Sequence, residues 1–153
     1  MKKMLILIGA ILLSNIVYCE MKDGKYSVKE EKYSFWGWKG YLNLEIKAGK
    51  IIKAEYDHEN KEGKKQRDDE AYNKNMYKSK KMSPKIFTEK LEKDLIVKQS
   101  AEKIDAVAGA TQSKDKFVLM SRLLIEKAEK GEMGNYILKK SKLEKSNIKE
   151  GGK

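Results

Sequence analysis

Apolar and polar residues alternate, or β-forming residues cluster, along three stretches in the first half of the chain, as expected for strands that bury one face. The stretches span residues 24–30, 41–47 and 51–56. In the second of them, Leu42, Leu44 and Ile46 fall on one face. The connection Ala48-Gly49-Lys50 between the second and third stretches contains glycine, so the pair predicts a β-hairpin.

Helical spacing of apolar residues takes over in the second half. Ser83 and Pro84 suit the cap and the first position of a helix, and Phe87, Leu91 and Leu95 follow at helical spacing to about Lys98. A last helix, which we expect Ser113 to cap, carries an apolar stripe and ends at Gly131. The residues of that stripe are Phe117, Met120, Leu124 and Ala128.

Weaker patterns predict a short helix over residues 70–78 and a short strand over 104–107. The charged segment 57–69 is predicted to be a loop. Within it, His58 is the only histidine of the chain and has no cysteine near it in the sequence, so we expect a surface residue rather than a metal ligand.

Together these elements predict an α+β fold, with a small antiparallel sheet and its hairpin packed against two or three helices. We assign residues 23–135 to a single domain, since about 115 residues can bury one core. Residues 136–153 are basic and poor in apolar residues, and predict a disordered tail.

Residues 1–19 have the layout of an export signal, with Lys2 and Lys3 before a short uncharged apolar run. That run is shorter than the roughly 20 residues of a membrane-spanning helix. Cys19, the only cysteine of the chain, ends the signal. Cleavage before Cys19 would leave a lipid-anchored protein, whereas Tyr18 departs from the small residue usual before a lipidated cysteine and suits ordinary cleavage. Either alternative predicts an exported protein, anchored to the membrane or free outside the cytoplasm.

The formal net charge of +11 comes almost entirely from lysine, because Arg67 and Arg122 are the only arginines. The lysines are scattered among glutamates and form no arginine-rich groove, so we expect no nucleic-acid partner. Attraction to anionic lipid or to an acidic redox partner, and a merely solvated lysine-rich surface, are the alternatives.

A turn of very small residues precedes the last predicted helix. It reads Asp105-Ala106-Val107-Ala108-Gly109-Ala110-Thr111-Gln112-Ser113. Small side chains let a ligand approach the backbone closely, and the first N–H groups of a helix are unpaired and carry the positive end of its dipole. The segment therefore predicts a phosphate seat.

This segment resembles the attachment motif of the FMN-binding domain family, found in subunits of the sodium-translocating NADH:quinone reductase, in Rnf complexes and in small extracytoplasmic flavoproteins. The family pattern is Asp, two variable residues, Ser or Thr, then Gly-Ala-Thr. Asp105 matches the acid, and Gly109, Ala110 and Thr111 match the final three residues. Ala108 departs from the pattern, because the family usually has a hydroxyl there.

The resemblance extends over about residues 23–131. Further similar segments are Asp23-Gly24-Lys25-Tyr26, Phe35-Trp36-Gly37-Trp38-Lys39-Gly40, the pair around Ala48-Gly49-Lys50, and Glu70-Ala71-Tyr72-Asn73-Lys74-Asn75-Met76. The resemblance implies FMN joined to Thr111 by a phosphoester bond. A flavin transferase would install it from FAD, with magnesium needed for the attachment step only.

The resemblance also implies roles for the neighbouring residues. The phosphate would face the N–H groups near 109–113, and Ser113 would donate one more hydrogen bond besides its capping role. Asp105 would serve the attachment step, by binding the transferase's magnesium or activating the Thr111 hydroxyl, or would fix the turn. Lys114 either pairs with the phosphate or is solvated.

Trp36 and Trp38, the two tryptophans of the chain, are separated by a single glycine, which is an unusual concentration of aromatic residues. One interpretation is a flat wall for the flavin ring, which would help to hold it and tune its potential. The other is ordinary core packing. By analogy with the family, Tyr72, Asn73 and Met76 line the same pocket.

The resulting functional prediction is an extracytoplasmic electron carrier, not an enzyme, that passes electrons between a membrane donor and an extracytoplasmic acceptor. No catalytic residue is predicted, because the sequence offers no paired acid and base groups, no nucleophile with a nearby histidine and no nicotinamide-binding fingerprint. One alternative is a non-redox surface lipoprotein or binding module that keeps the fold without flavin, with Ala108 as the mark of that loss. The other is reversible, non-covalent FMN binding.

Overall fold

The structure is a computed structural model, and it describes residues 20–139 of the 153-residue chain. The predicted signal at 1–19 and residues 140–153 of the predicted tail lie outside the described residues. The lipidation predicted at Cys19 lies outside them as well.

The described residues form one sheet and three helices in a single α+β domain, which confirms the predicted class. In chain order, the elements are β1 (Gly24–Glu30), β2 (Lys39–Lys47), β3 (Lys50–Glu59), α1 (Glu70–Lys80), α2 (Pro84–Lys98), α3 (Thr111–Glu129) and β4 (Gly134–Leu138). The strand order is β3-β2-β1-β4. The three predicted strands pair antiparallel as expected, whereas β4, which the sequence analysis missed, pairs parallel to β1.

One face of the sheet carries the core. Val28, Leu42 and Tyr56 lie side by side on β1, β2 and β3, and all three are fully buried. The hairpin register shifts next to Ile46, so that Ile52 is an extra residue on β3 and points to solvent. The bulge lets Ile51 and Ala54 both face the core despite their odd spacing.

Two of the helices cover this face. In α2, the Ser83 hydroxyl accepts a hydrogen bond from the Ile86 N–H at 3.4 Å, and Pro84 occupies the first turn, as predicted. The predicted apolar stripes of both α2 and α3 are buried. Ser113, however, does not cap α3, because the helix begins at Thr111 and Ala110 holds the cap position.

Several local expectations are wrong. Residues 104–107 form no strand. The predicted loop at 57–69 begins with the last residues of β3 and contains a turn of 3₁₀ helix over Gln66–Asp68. The predicted start of the tail at residue 136 falls inside β4, whose Leu138 is buried against the core.

Side chains of α2 and of Gln99, its C-cap residue, cover the outer edge of β3. Gln99 accepts from the Ile51 N–H at 2.8 Å and donates to its carbonyl at 2.9 Å. Glu92 accepts from the Tyr56 N–H at 2.7 Å. An edge strand otherwise presents unpaired backbone groups that invite pairing with another chain, so these contacts close one side of the sheet.

Arg67 completes this edge by binding two carboxylates and a carbonyl. Its guanidinium pairs with Asp57 at 2.9 Å and with Glu92, and donates to the Tyr56 carbonyl at 2.5 Å. Asp57, whose side chain is 0% exposed, also accepts from the His58 N–H at 2.7 Å. Burial raises the pKa of Asp57 and that of Glu92, and Arg67 opposes the rise in both. The arginine therefore offsets the cost of two carboxylates withdrawn from water.

His58 is buried, which corrects the expectation of a surface position. It is 7% exposed, lies across the sheet from Gly40, and has no hydrogen-bond partner at Nδ1. Beside it, Glu30 accepts from the Gly40 N–H at 2.7 Å and pairs with Lys116 of α3 at 2.7 Å. Burial lowers the pKa of His58 from about 6.5 to about 4, so the imidazole is neutral in the folded protein near neutral pH.

The domain has two distinct ends. At one end, named here the hairpin end, Glu20 and Asp23 lie against Gly49 in the β2–β3 turn. At the other, named the motif end, lie the connection after β1 and the start of α3, which Lys116 ties to Glu30 at the end of β1. The seven residues of β1 separate the two ends by about 20 Å. Within the described part of the chain, no helix is both long and apolar enough to cross a bilayer.

Replacing Arg67 with methionine should lower the free energy of unfolding by about 3–5 kcal/mol, because Asp57 is left buried without its counter-charge. Arg122→Met is the matched control, since Arg122 and its partner Glu102 are 54% and 59% exposed and such pairs contribute about 1 kcal/mol or less. Urea unfolding followed by circular dichroism measures both. Equal losses in the two variants would contradict a special role for Arg67.

His58 should make stability depend on pH. The unfolded chain takes up a proton near pH 6.5 and the folded protein only near 4, so stability is lost as the pH falls through this window, by up to about 3 kcal/mol. His58→Phe removes this loss, while the carboxylates titrate alike in both proteins. Urea unfolding from pH 7 down to pH 4 gives the difference between them, and a difference that does not change with pH would refute the assignment.

Candidate functional site

The small-residue turn lies at the motif end with its backbone fixed and its hydroxyl outward. Val107 and Ala110 are buried, and the Ala110 N–H donates to the Val107 carbonyl at 3.0 Å. Between and after them, Ala108, Gly109 and Thr111 are exposed. The turn therefore presents the Thr111 hydroxyl to solvent from a rigid base.

Gly109 is required by the local geometry. Its φ is +80°, and a Cβ there would lie 3.1 Å from both the Lys80 carbonyl oxygen and the Met82 Cβ. An L side chain would be strained by the backbone angle and crowded by the neighbouring chain. The turn consequently packs closely against the connection between α1 and α2.

The start of α3 has no side-chain cap. Ala110 occupies the cap position, and its methyl group cannot accept the hydrogen bonds of the first-turn N–H groups. The predicted donor Ser113 lies inside the first turn, where its carbonyl accepts from the buried Tyr56 hydroxyl at 2.9 Å. A 19-residue helix with an open N-terminus and an exposed hydroxyl at its first residue suits an anionic group.

Asp105 is engaged at the beginning of the turn. Its carboxylate pairs with Lys98 at 2.7 Å, and its N–H donates to Asp94 at 2.7 Å. Lys98 also pairs with Asp94 at 2.9 Å, and the two carboxylates raise its pKa. The side chain of Asp105 is largely exposed, and the roles predicted for it stay predictions. The Lys114 ammonium nitrogen lies 3.6 Å from a carboxylate oxygen of Asp115.

A second feature of the motif end is a tight turn over residues 34–38, named here the aromatic turn. The Ser34 N–H donates to the Trp38 carbonyl at 2.7 Å, and the Gly37 N–H donates to the Ser34 carbonyl at 2.9 Å. These bonds hold Phe35 and Trp36 at the tip, where they are 95% and 77% exposed and contact each other edge to face. Of the two predicted explanations for Trp36, core packing is therefore wrong.

Trp38 differs from Trp36, because it is half-buried and its ring meets Tyr72 of α1 edge to face at 6.0 Å. The phosphate seat lies at the other end of α1, where Gly109 packs on Lys80. The eight residues between Tyr72 and Lys80 span about 12 Å of helix. The structure therefore places the two parts of the predicted flavin site at opposite ends of α1.

Polar contacts help to fix α1 to the domain, because the helix has no fully buried residue and contacts the core through the partly buried Met76. The Asn73 amide donates to the carbonyls of Gln66, Arg67 and Asp69 at 3.2, 3.0 and 2.7 Å. Its oxygen accepts from the Lys85 N–H at 3.1 Å. Asn73, predicted by analogy to line a flavin pocket, therefore has a structural role that no sequence periodicity signals.

Comparison with known proteins identifies proteins similar to this chain. No protein-family model matches the chain. The 15 kDa lipoprotein of Treponema pallidum (strain Nichols) is 31% identical over 123 residues, which cover 80% of this chain and 87% of the relative. The name of this relative does not mention flavin, so the predicted FMN attachment stays a prediction.

Solved structures of similar proteins come from two clostridia. A Clostridium perfringens protein of known crystal structure is 32% identical in sequence to this chain, with a TM-score of 0.74. The match covers 78% of this chain and 98% of the C. perfringens chain. A Clostridium thermocellum protein of known solution structure is 26% identical in sequence, with a TM-score of 0.49. The match covers 71% of this chain and 93% of the C. thermocellum chain. From the extent and identity of the match to the treponemal protein, this chain belongs to the family of the 15 kDa lipoprotein of Treponema pallidum.

Proposed function

We propose that the protein is a membrane-anchored extracytoplasmic lipoprotein that works as a non-catalytic binding module, with the aromatic turn as its contact surface. The observation that carries the proposal is the exposure of Phe35 and Trp36 at the tip of that turn. The lipoprotein relative supports the anchored location. No group of three or more potential metal-ligating side chains occurs among residues 20–139.

Two exposed aromatic rings on a fixed turn favour a binding role on energetic grounds. Tryptophan is among the residues that dominate binding energy at protein interfaces, and large aromatic rings gain most from desolvation. The turn is already ordered by the hydrogen bonds of Ser34. Association would therefore cost little additional conformational entropy.

The position of the aromatic turn suits a partner outside the protein's own membrane. A lipid on Cys19 would be adjacent to Glu20, which lies at the hairpin end. The aromatic turn follows β1 at the motif end, about 20 Å away along the strand. A chain anchored in this way directs Phe35 and Trp36 away from the bilayer.

Photo-cross-linking in cells tests this proposal. Trp36 is replaced with a benzophenone amino acid in the full chain, and we expect discrete cross-linked protein bands after irradiation. The matched control places the same amino acid at Val97, which is 71% exposed and lies near the end of α2. Cross-linking at position 36 that is no stronger than at position 97 would overturn the proposed function.

A second candidate function is the electron carrier with FMN on Thr111. It is favoured by the exposed Thr111 hydroxyl at the uncapped start of α3, beside a glycine that admits no side chain. The phosphate end of FMN fits these residues. For the ring, Trp38 and Tyr72 offer aromatic surface at the far end of α1.

In this second function, a bound flavin would supply the redox chemistry. Thr111 would hold the phosphate through its oxygen, and the first-turn N–H groups of α3 would face the remaining charge. The partners would be a flavin transferase that needs magnesium, a membrane electron donor and an extracytoplasmic acceptor. Ala108 would supply no hydroxyl to the phosphate or to the transferase.

Intact mass spectrometry tests the flavin function. After co-expression with an FMN transferase, attachment at a hydroxyl adds about 438 Da, the mass of FMN less water. Thr111→Ala should abolish the gain, and Thr88→Ala should retain it, because Thr88 is the only other threonine and is buried.

Ala108→Thr restores the hydroxyl of the family pattern and should raise the flavinylated fraction. If neither the natural chain nor Ala108→Thr gains mass, covalent flavin attachment is excluded and the binding module stands alone. A yellow colour that is lost on denaturing precipitation would instead identify reversible FMN binding.

A further inference from the structure

A run of uncompensated lysines lies next to the aromatic turn. Residues 71–88 contain five lysines and no aspartate or glutamate. These lysines, named here the basic ridge, are Lys74, Lys78, Lys80, Lys81 and Lys85. The ridge follows α1 and enters the first turn of α2, and every member is exposed.

The lysines elsewhere on the described surface are interspersed with carboxylates along the chain. Some of them form ion pairs, as Lys29 does with Glu59 at 2.9 Å and Lys65 with Glu55 at 2.6 Å, whereas others form none. Within residues 20–139, no ion pair involves a member of the ridge, and Lys81 lies over the exposed Tyr77 ring at 5.9 Å. Its charge is therefore available to another molecule.

Several members of the ridge are unfavourable for the stability of the fold. Lys74 and Lys78 are like charges four residues apart on one helix, an arrangement that destabilises helices. Lys85 lies in the first turn of α2, which has no acidic residue, where the helix dipole disfavours a cation. Lys81 adopts φ of 54° at the end of α1, where glycine or asparagine is usual.

The helix dipole favours Lys78 and Lys80, because they occupy the last turn of α1. The dipole also favours Lys81, the C-cap residue of α1, but it gives no reason for lysine at positions 74 and 85. Capping therefore does not account for the ridge as a whole, whereas complementarity to a negatively charged partner accounts for every member.

The ridge and the aromatic turn adjoin, because Trp38 of the turn contacts Tyr72 of α1. The combined surface has two exposed aromatic rings near the start of α1 and five lysines without ion pairs in the described structure, which run along α1 to its other end and into α2. Aromatic anchors dominate the binding energy of protein interfaces, and complementary charge around them steers association and fixes the orientation of the partner. An anionic bilayer is the competing occupant, but the ridge lies at the motif end, away from the anchored hairpin end.

We infer that the basic ridge and the aromatic turn together form the docking surface for an acidic extracytoplasmic protein. The inference rests on the proposed function as a binding module and adds to it the chemistry of the partner. The aromatic rings supply the desolvated contact, and the ridge steers and orients an acidic surface against them.

The test compares two charge-reversed variants of the full chain, held in neutral phosphatidylcholine vesicles. One carries Lys74→Glu, Lys78→Glu and Lys81→Glu. The control carries Lys25→Glu, Lys47→Glu and Lys53→Glu, which are exposed lysines of the sheet without ion pairs in the described structure. Because the two variants have equal net charge, a difference between them reports position alone.

Two readouts are measured, the binding of a fluorescent polyglutamate peptide and the cross-linking yield from position 36 in cells. We expect the ridge variant to weaken both about ten-fold or more, since charge reversal at an interface replaces attraction with repulsion. The control variant should stay close to the natural chain in both. Circular dichroism of each variant checks that the fold is retained.

Three outcomes would overturn the inference. Equal weakening by the two variants would make the effect one of net charge. If the natural chain tethers added phosphatidylglycerol vesicles but does not bind the peptide, and only the ridge variant loses the tethering, the surface binds lipid. If cross-linking is strong and the ridge variant does not lower it, the proposed binding function is retained and the acidic partner is rejected. If no cross-linking is seen, the binding function itself is rejected.

Discussion

The pairing of Arg67 with two carboxylates is the constraint around which the rest of the structure is arranged. Asp57 comes from β3 and Glu92 from α2, so one guanidinium joins a strand, a helix and the 3₁₀ turn that carries it. Because Asp57 is fully withdrawn from water, this contact has to form for the core beneath it to close. Asn73 binds the carbonyl of the same arginine, so the position of α1 depends on it as well.

The two ends of the domain differ in chemistry. The hairpin end is compact, and its short turn is held by contacts to residues 20–23. The motif end combines an open helix start, a fixed turn with exposed rings, and a helix with no buried residue. A fold selected only for stability would bury these rings and balance these lysines, so the departures from local stability concentrate where contact with other molecules is available.

Sequence patterns anticipated the elements whose apolar spacing is regular. The strands around Leu42, the helix after Ser83 and the stripe of the last helix formed as expected, because each has a clear period and a clear boundary signal. β4 was missed because a five-residue strand is too short to establish a period, and its parallel pairing depends on a distant strand. The burial of His58 likewise arises from Phe87, Gly40 and Glu30, which are remote in sequence. In the candidate site, the small-residue turn and the run of lysines are both visible in the sequence, whereas the exposure of those lysines beside the aromatic turn follows from the packing of α1, which has no fully buried residue.

Tyr56 connects the ion network to the motif. Its N–H and carbonyl are held by Glu92 and Arg67, and its hydroxyl donates to the carbonyl of Ser113 in the first turn of α3. The ring between these contacts is fully buried, so Tyr56 couples the position of the sheet edge to the position of the beginning of the helix. The position of the first turn of α3, which begins at Thr111, thereby depends on an arginine that lies on a different segment of the chain.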